Sequence, residues 1–272
     1  MNLLDNHVHT SFSSDGKDSM EKVIERAIKI GVRHLTFTDH LEYNSEDFSI
    51  NCTDYMNTIL ELKYKYKNNI EILAGIEVGY QDYIREKINL ILKRNLFDFV
   101  LCSTHTVDKI SVSSEKFYKG YTKEEVYNKY FQSILNTINE FNNFDCYGHL
   151  DYIIRYSNYV GREVIYRDYM DIIDSVLKNI IYLGKGIEIN TSGYRYGLNS
   201  IHPNYDILKR YKELGGEIIT IGSDSHRAID LCCDFDRGFD ILENIGFKYV
   251  CKFKGRKPEF IEINKERKSF IA

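Results

Sequence analysis

Seven times along this chain an apolar, β-branched run stops abruptly at a ligand-capable or polar side chain. The runs Leu3–Leu4, His34–Thr38, Ile70–Ile76 and Phe97–Thr104 end at His7 and His9, at Asp39-His40, at Glu77 and at His105. The runs Phe144–Gly148, Gly186–Ile189 and Ile218–Ser223 end at His149, at Asn190 and at Asp224-Ser-His226. Short apolar runs with such boundaries are expected to be buried strands. Their ends gather in one place when the strands lie side by side and point the same way. Six of the eight histidines share this context. A spare histidine is ordinarily a surface or satisfied core residue; this repetition points to a shared site. His7 and His9 make the local case. Two positions apart on a strand, they face the same way about 6–7 Å apart along the chain and can close on one ion.

Helical segments fill the gaps. Asp18-Ser-Met-Glu21 has the form of a capping box, opening a helix that stops at Gly31. Residues 54–66 (Met56, Ile59, Leu60 and Leu62 apolar) and 82–94 form two more, and Thr122-Lys-Glu-Glu125 opens a long one to Phe141. Helices over 166–183 and 203–214 follow, the latter with Pro203 in its first turn and Gly215 as its stop. A helix over 236–244 precedes a last strand-like run, 247–253. This alternation predicts a parallel sheet wrapped by helices. Convergence of so many strand ends favours a closed or distorted barrel over an open sheet.

A length of 272 residues suits one such barrel, and two prolines without a linker suggest a single domain over 1–272. Charged residues make up 28% and the net charge is −4, so nothing favours a nucleic-acid surface. There is no basic-then-apolar leader, and no apolar run approaches the roughly 20 residues of a membrane span. The six cysteines lack a Cys-x-x-Cys spacing and are expected to be buried or incidental thiols of a cytoplasmic protein. Oligomeric state leaves no mark in the sequence.

Nine side chains qualify as ligands: His7, His9, Asp15, His40, Glu77, His105, His149, Asp224 and His226. One zinc-like ion takes three or four protein ligands and keeps a place for water. Nine therefore suit two or three ions that share a carboxylate, with Glu77 as the bridging candidate. Imidazole with carboxylate fits zinc, iron or manganese. Such a cluster acidifies bound water and opposes the charge of a developing oxyanion. Phosphate ester hydrolysis needs both.

His7-Val-His9-Thr, Ser14-Asp15-Gly16, Thr38-Asp39-His40, Gly75-Ile-Glu77, Ser103-Thr-His105, Gly148-His149 and Gly222-Ser-Asp224-Ser-His226 resemble, in order, the motifs of the polymerase and histidinol phosphatase (PHP) superfamily. The resemblance runs from residue 2 to about residue 226. Within the superfamily the chain looks most like the monofunctional histidinol-phosphate phosphatases, on three stretches. These are His149-Leu-Asp151-Tyr-Ile-Ile-Arg155, Glu188-Ile-Asn-Thr-Ser-Gly193-Tyr-Arg195, and Tyr130-Phe131. The resemblance implies a distorted (βα)7, TIM-like α/β barrel with three divalent metal ions at the carboxyl ends of its strands. One ion would be held by His7, His9, Glu77 and Asp224, a second by Glu77, His105 and His149, and a third by Asp15, His40 and His226. It also implies hydrolysis of L-histidinol phosphate, a small-molecule phosphate ester, with neither nucleic acid nor membrane as partner. Asp224 or His226 would position the nucleophile, and His40 or His226 would protonate the leaving oxygen.

Arg155 and Arg195 each follow a strand-end motif by a few residues, where a loop would hold them over the site. A guanidinium can grip two phosphate oxygens at once. Both are expected to clamp the phosphate from positions remote from the ions; Arg227 is as easily a solvated residue. His34, at the amino end of its strand, is expected to be structural. His202 is expected to cap the helix that follows, Asn190 to hydrogen-bond beside the site, and Cys232-Cys233 to be inert. The polar segment 106–121 is a candidate lid. Other readings are a phosphatase for a nucleotide or phosphotyrosine peptide, an amidohydrolase, and a metal-dependent binding module. An amidohydrolase also opens with His-x-His, but the extra Asp15, His40 and His226 point away from it.

Overall fold

Seven parallel strands stand in chain order around a barrel: β1 (Leu3–Val8), β2 (Val32–Phe37), β3 (Glu71–Gly79), β4 (Phe99–Ser103), β5 (Cys146–Tyr147), β6 (Gly186–Asn190) and β7 (Ile219–Gly222). The computed structural model describes residues 3–44 and 47–263, so 1–2, 45–46 and 264–272 of the expected domain lie outside the described residues. Closure comes from a parallel bridge between Val8 and Ser225 and from the His9 N–H, which donates to the Ser225 carbonyl at 2.8 Å. The barrel is distorted at β1, whose register against β2 shifts twice. There the Asn6 amide turns inward and donates to the carbonyls of Ile221 and Cys251. A two-residue strand, His40–Leu41, adds to β3 in parallel, and its register sets His40 opposite Glu77. That addition, not β2 itself, carries His40 to the site.

The helices follow the predicted spacing with shifted ends. α1 (Met20–Lys29) is capped by Ser19, which accepts the Lys22 N–H. The expected Asp18 box is absent, because Asp18 is committed to the Lys22 ammonium and to the Ala228 N–H. α2 (Cys52–Lys65) starts earlier than expected, since Asn51 supplies the cap. Leu60 faces solvent, and Tyr55 takes the core position and donates to the Gly75 carbonyl at 2.9 Å. α3 is Arg85–Arg94, preceded by a 3-10 turn at Asp82–Ile84. α4 (Lys123–Glu140) has the full Thr122–Glu125 box. Thr122→Ala removes that cap, and the expected loss is about 1 kcal/mol of unfolding free energy, read by denaturant titration.

α5 is Met170–Tyr182, α6 is the single turn Ser192–Arg195, and α7 (Tyr205–Glu213) is capped by Asn204. Pro203 therefore precedes the cap and does not sit in the first turn, and its bond to His202 is cis. α8 (Phe235–Ile245) ends at Gly246, whose left-handed φ of 101° closes the helix.

The run near residue 250 is not an eighth barrel strand. β8 (Tyr249–Lys254) pairs antiparallel with β9 (Lys257–Glu262), and this hairpin buries Cys251 and Phe253 against Phe99, Leu101 and Cys146. Phe99 and Cys146 begin their strands, so the hairpin plugs the amino-terminal mouth of the barrel. His34 belongs to that same end, where its Nδ1–H donates to Glu71; its role is structural. Polar chemistry is left to the other mouth. Among the described residues no helix is long and apolar enough to cross a membrane.

Candidate metal centre

Glu77 stands at the middle of that carboxyl-terminal mouth. It is a fully buried carboxylate on a strand whose residues from Ile72 to Gly79 are all buried. Oε1 accepts the Ser103 hydroxyl at 2.7 Å and faces His149 Nε2 at 3.0 Å and His105 Nε2 at 3.5 Å. Oε2 accepts no hydrogen bond in a regular geometry, yet three imidazole nitrogens converge on it. His7 Nε2 and His9 Nε2 are each 3.5 Å away, and His40 Nδ1 is 2.8 Å away. His7 Nε2 and His9 Nε2 are themselves 3.0 Å apart, and Asp224 Oδ1 lies within 3.8 Å of both. Beyond His9, Asp15 Oδ2 meets His226 Nε2 at 3.0 Å and His40 Nε2 at 3.6 Å. Eight of the nine side chains singled out by sequence thus fall in overlapping groups of metal-binding size, and Asp15 stands beside them against His226 and His40.

The donor chemistry fits cations. A buried carboxylate oxygen lacking hydrogen-bond donors, ringed by imidazole nitrogens, is satisfied by an ion between them. Outer contacts hold several rings with one nitrogen inward. His7 Nδ1–H donates to Glu188 at 2.7 Å, His9 Nδ1–H to the Ser13 hydroxyl at 3.2 Å, and His105 Nδ1–H to Glu42 at 2.5 Å. Ser13 in turn donates to Asp39 at 2.7 Å. Carboxylate-backed imidazoles of this kind fix the tautomer and raise ligand basicity.

Burial pushes the Glu77 carboxyl up, but His7, His105 and His40 hold it well below the usual range. Asp224 is also held ionised, by Arg155 and His7 against burial. Burial, with His40 and His226 nearby, keeps His9 neutral, the form that binds metal. His105 moves the other way, to about 9: burial lowers it, but Glu77 and Glu42 prevail. A cation entering between such groups displaces protons.

Glu188, Glu42 and Asp39 were not among the sequence-derived candidates. Glu188 is the most informative omission. It accepts from His7 with one oxygen and from the His149 N–H (3.0 Å) and the Asn190 amide (3.1 Å) with the other. Its signal was a charged residue inside the apolar strand Gly186-Ile-Glu-Ile-Asn. A carboxylate buried there must find partners. Asn190 hydrogen-bonds beside the site as expected, through its amide to Glu188 and its carbonyl to Ser192.

The arginines need correction. Arg155 is not remote from the ligands: its Nη2 donates to Asp224 Oδ2 at 3.0 Å and to the Ser192 hydroxyl at 2.5 Å. Its guanidinium lies over Tyr152 and Tyr196, 4.7 and 4.1 Å from the ring centroids. Arg195 Nη2 donates to the carbonyls of Ser223 and Asp224. Arg155 Nε and Arg195 Nη1 remain buried without partners. Arg227 is a solvated residue paired with Asp230. His202 caps nothing; it is buried against Asp151. Segment 106–121 is pinned by buried Val107, Val112, Phe117 and Tyr118, the last donating to the Val112 carbonyl.

A distorted seven-stranded barrel with clustered imidazole and carboxylate groups at its strand ends defines a multi-metal hydrolase scaffold. The PHP domain family matches residues 5–192, and the chain belongs to that family. It is 31% identical over 272 residues to a histidinol-phosphatase of Lactococcus lactis subsp. lactis, covering 99% of each chain. It is 34% identical over 252 residues to a probable histidinol-phosphatase of Clostridium acetobutylicum, covering 91% of this chain and 96% of the relative. The crystal structure of the L. lactis histidinol phosphate phosphatase, complexed with zinc, L-histidinol and phosphate, superposes with a TM-score of 0.88. That match covers 95% of this chain and 99% of the other.

Proposed function

We propose that this protein hydrolyses L-histidinol phosphate to L-histidinol and inorganic phosphate, a step of histidine biosynthesis, on a centre of three divalent ions. The observation that carries the reading is the convergence of five imidazoles, those of His7, His9, His40, His105 and His149, on the buried Glu77 carboxylate, in a fold shared along its length with a phosphatase that binds L-histidinol and phosphate. His7, His9, Glu77 and Asp224 hold one ion. Glu77, His105 and His149 hold a second, and Asp15, His40 and His226 a third. Zinc, iron and manganese all suit this donor set. When bound, the ions supply acidity to water and positive charge against the developing oxyanion.

The chain's own groups do the rest. Arg155 Nε and Arg195 Nη1 are free to donate to phosphoryl oxygens. Asp224, fixed by Arg155 and Ser192, orients the nucleophile. His226 or His40, the rings near Asp15 at the open side of the cluster, can give the leaving oxygen its proton only with that ring released from the third ion, since a nitrogen that holds a cation carries no proton. The whole chain acts as one domain. All six cysteines are free, in keeping with a reducing cytoplasm.

Phosphate release is measured from histidinol phosphate, nucleoside monophosphates, a phosphotyrosine peptide and an aryl phosphate. Histidinol phosphate should give the highest kcat/KM; a clear preference for any other substrate overturns the assignment. Elemental analysis after metal-replete expression should approach three ions per chain. A ceiling of one would sink the shared cluster.

A further inference from the structure

One fully buried pair stands behind the metal centre and takes no part in the chemistry above. His202 Nδ1–H donates to Asp151 Oδ1 at 2.5 Å, and neither residue reaches solvent. Asp151 Oδ2 accepts the Asn204 N–H at 2.9 Å. His202 Nε2 is buried without a partner. Burying such groups costs free energy unless every polar atom is hydrogen-bonded, and His202 Nε2 is not.

Both residues belong to the segments that carry the arginines. Asp151 begins the turn that runs through Tyr152–Arg155. His202 closes the loop leaving β6, and its backbone pairs both ways with Asn190, at 2.7 and 2.8 Å. Between those two residues lies α6, which ends at Arg195. The loop folds back so tightly that a Cβ on Gly193 would meet the Ser200 carbonyl at 2.1 Å. A displacement of His202 must therefore move Arg195. The far ends of the two segments are also joined. Asn190 Oδ1 accepts the Ser192 hydroxyl at 2.5 Å, and Arg155 Nη2 donates to that same hydroxyl.

We infer that the Asp151–His202 pair is a positioning strut, which sets the spacing of Arg155 and Arg195 and so the width of the phosphoryl seat. It touches no substrate and acts through the two guanidinium groups. The inference rests on the phosphate-binding role proposed for those arginines.

The test measures inhibition by inorganic phosphate during hydrolysis of an aryl phosphate, with metal content determined for each variant. His202→Leu should keep its metal and raise the phosphate Ki about tenfold or more. His202→Asn, whose amide can still donate to Asp151, should stay within about threefold of wild type. In an Arg195→Ala background, His202→Leu should add less than about a further twofold, because the strut's path to phosphate is already cut. An unchanged Ki in His202→Leu overturns the inference, and so do fully multiplicative effects in the double variant. Should His202→Leu not fold, Asp151→Ala decides: it removes the acceptor of the His202 N–H and must also raise the Ki. Failure of the wild type on histidinol phosphate would sink the substrate assignment and leave this test standing. An unchanged phosphate Ki in Arg195→Ala would remove the seat, and the strut with it.

Discussion

Glu77→Gln should lose at least one metal ion and lower kcat/KM about a thousandfold or more, with the barrel intact. Each oxygen of the carboxylate serves a different set of rings: Oε1 faces His105 and His149, and Oε2 faces His7, His9 and His40. Glutamine has the same size but must place an NH2 group on one side. An amide nitrogen offers no lone pair to a cation and points N–H bonds where ligand lone pairs converge. Whichever way the amide turns, one ion loses its shared ligand. Folding should survive, because the strand is otherwise apolar and the substitution removes a buried charge without changing volume. Elemental analysis and steady-state kinetics on the same preparation decide the matter, with circular dichroism to verify the fold. Near-normal turnover with a full complement of metal would remove Glu77 from the bridging position.

Most of the candidate ligands were legible in the sequence because strand periodicity delivers them; Asp15, in the loop after β1, is not among those. A side chain at the carboxyl end of a parallel strand has little choice of direction, so residue type and run boundary together predict the mouth of the barrel. His40 shows the limit of that logic. It lies beyond the end of β2 and arrives through a two-residue addition to β3 that no periodicity announces. Partners one layer out are harder still. Glu188 is 181 residues from His7 and Glu42 is 63 from His105, so only the closed fold pairs them. Cap positions failed for a related reason. Asp18 and Pro203 have the right chemistry for their predicted places, but tertiary contacts and the neighbours Ser19 and Asn204 take the role. The hairpin plug was invisible because its second strand, Lys257–Glu262, is largely exposed and carries little apolar pattern.

Removing Arg155 and removing Arg195 should both damage phosphate handling, and the structure predicts that they do so differently. Each guanidinium has a buried nitrogen without a partner, and losing such a donor costs about 2–4 kcal/mol of transition-state stabilisation, roughly 30- to 1,000-fold in kcat/KM. Arg195 is anchored on two backbone carbonyls, so Arg195→Ala leaves every metal-binding side chain with its own partners. Its metal content should stay at the wild-type level. Arg155 is salt-bridged to Asp224, and Arg155→Ala strands a buried carboxylate that the proposed first ion would need. That variant should bind metal more weakly and regain part of its rate when metal is supplied in excess. Lysine should rescue neither, since it lacks the planar fork and, at 155, the stacking on Tyr152 and Tyr196. The measurement is kcat/KM for all four variants on histidinol phosphate and on an aryl phosphate, across a metal titration. Because the contact is with the phosphoryl group, both substrates should suffer alike. If Arg195→Ala keeps its metal and works within about threefold of wild type, well short of that expected loss, the clamp is refuted. If Arg155→Ala then responds to metal alone, its role is to hold Asp224.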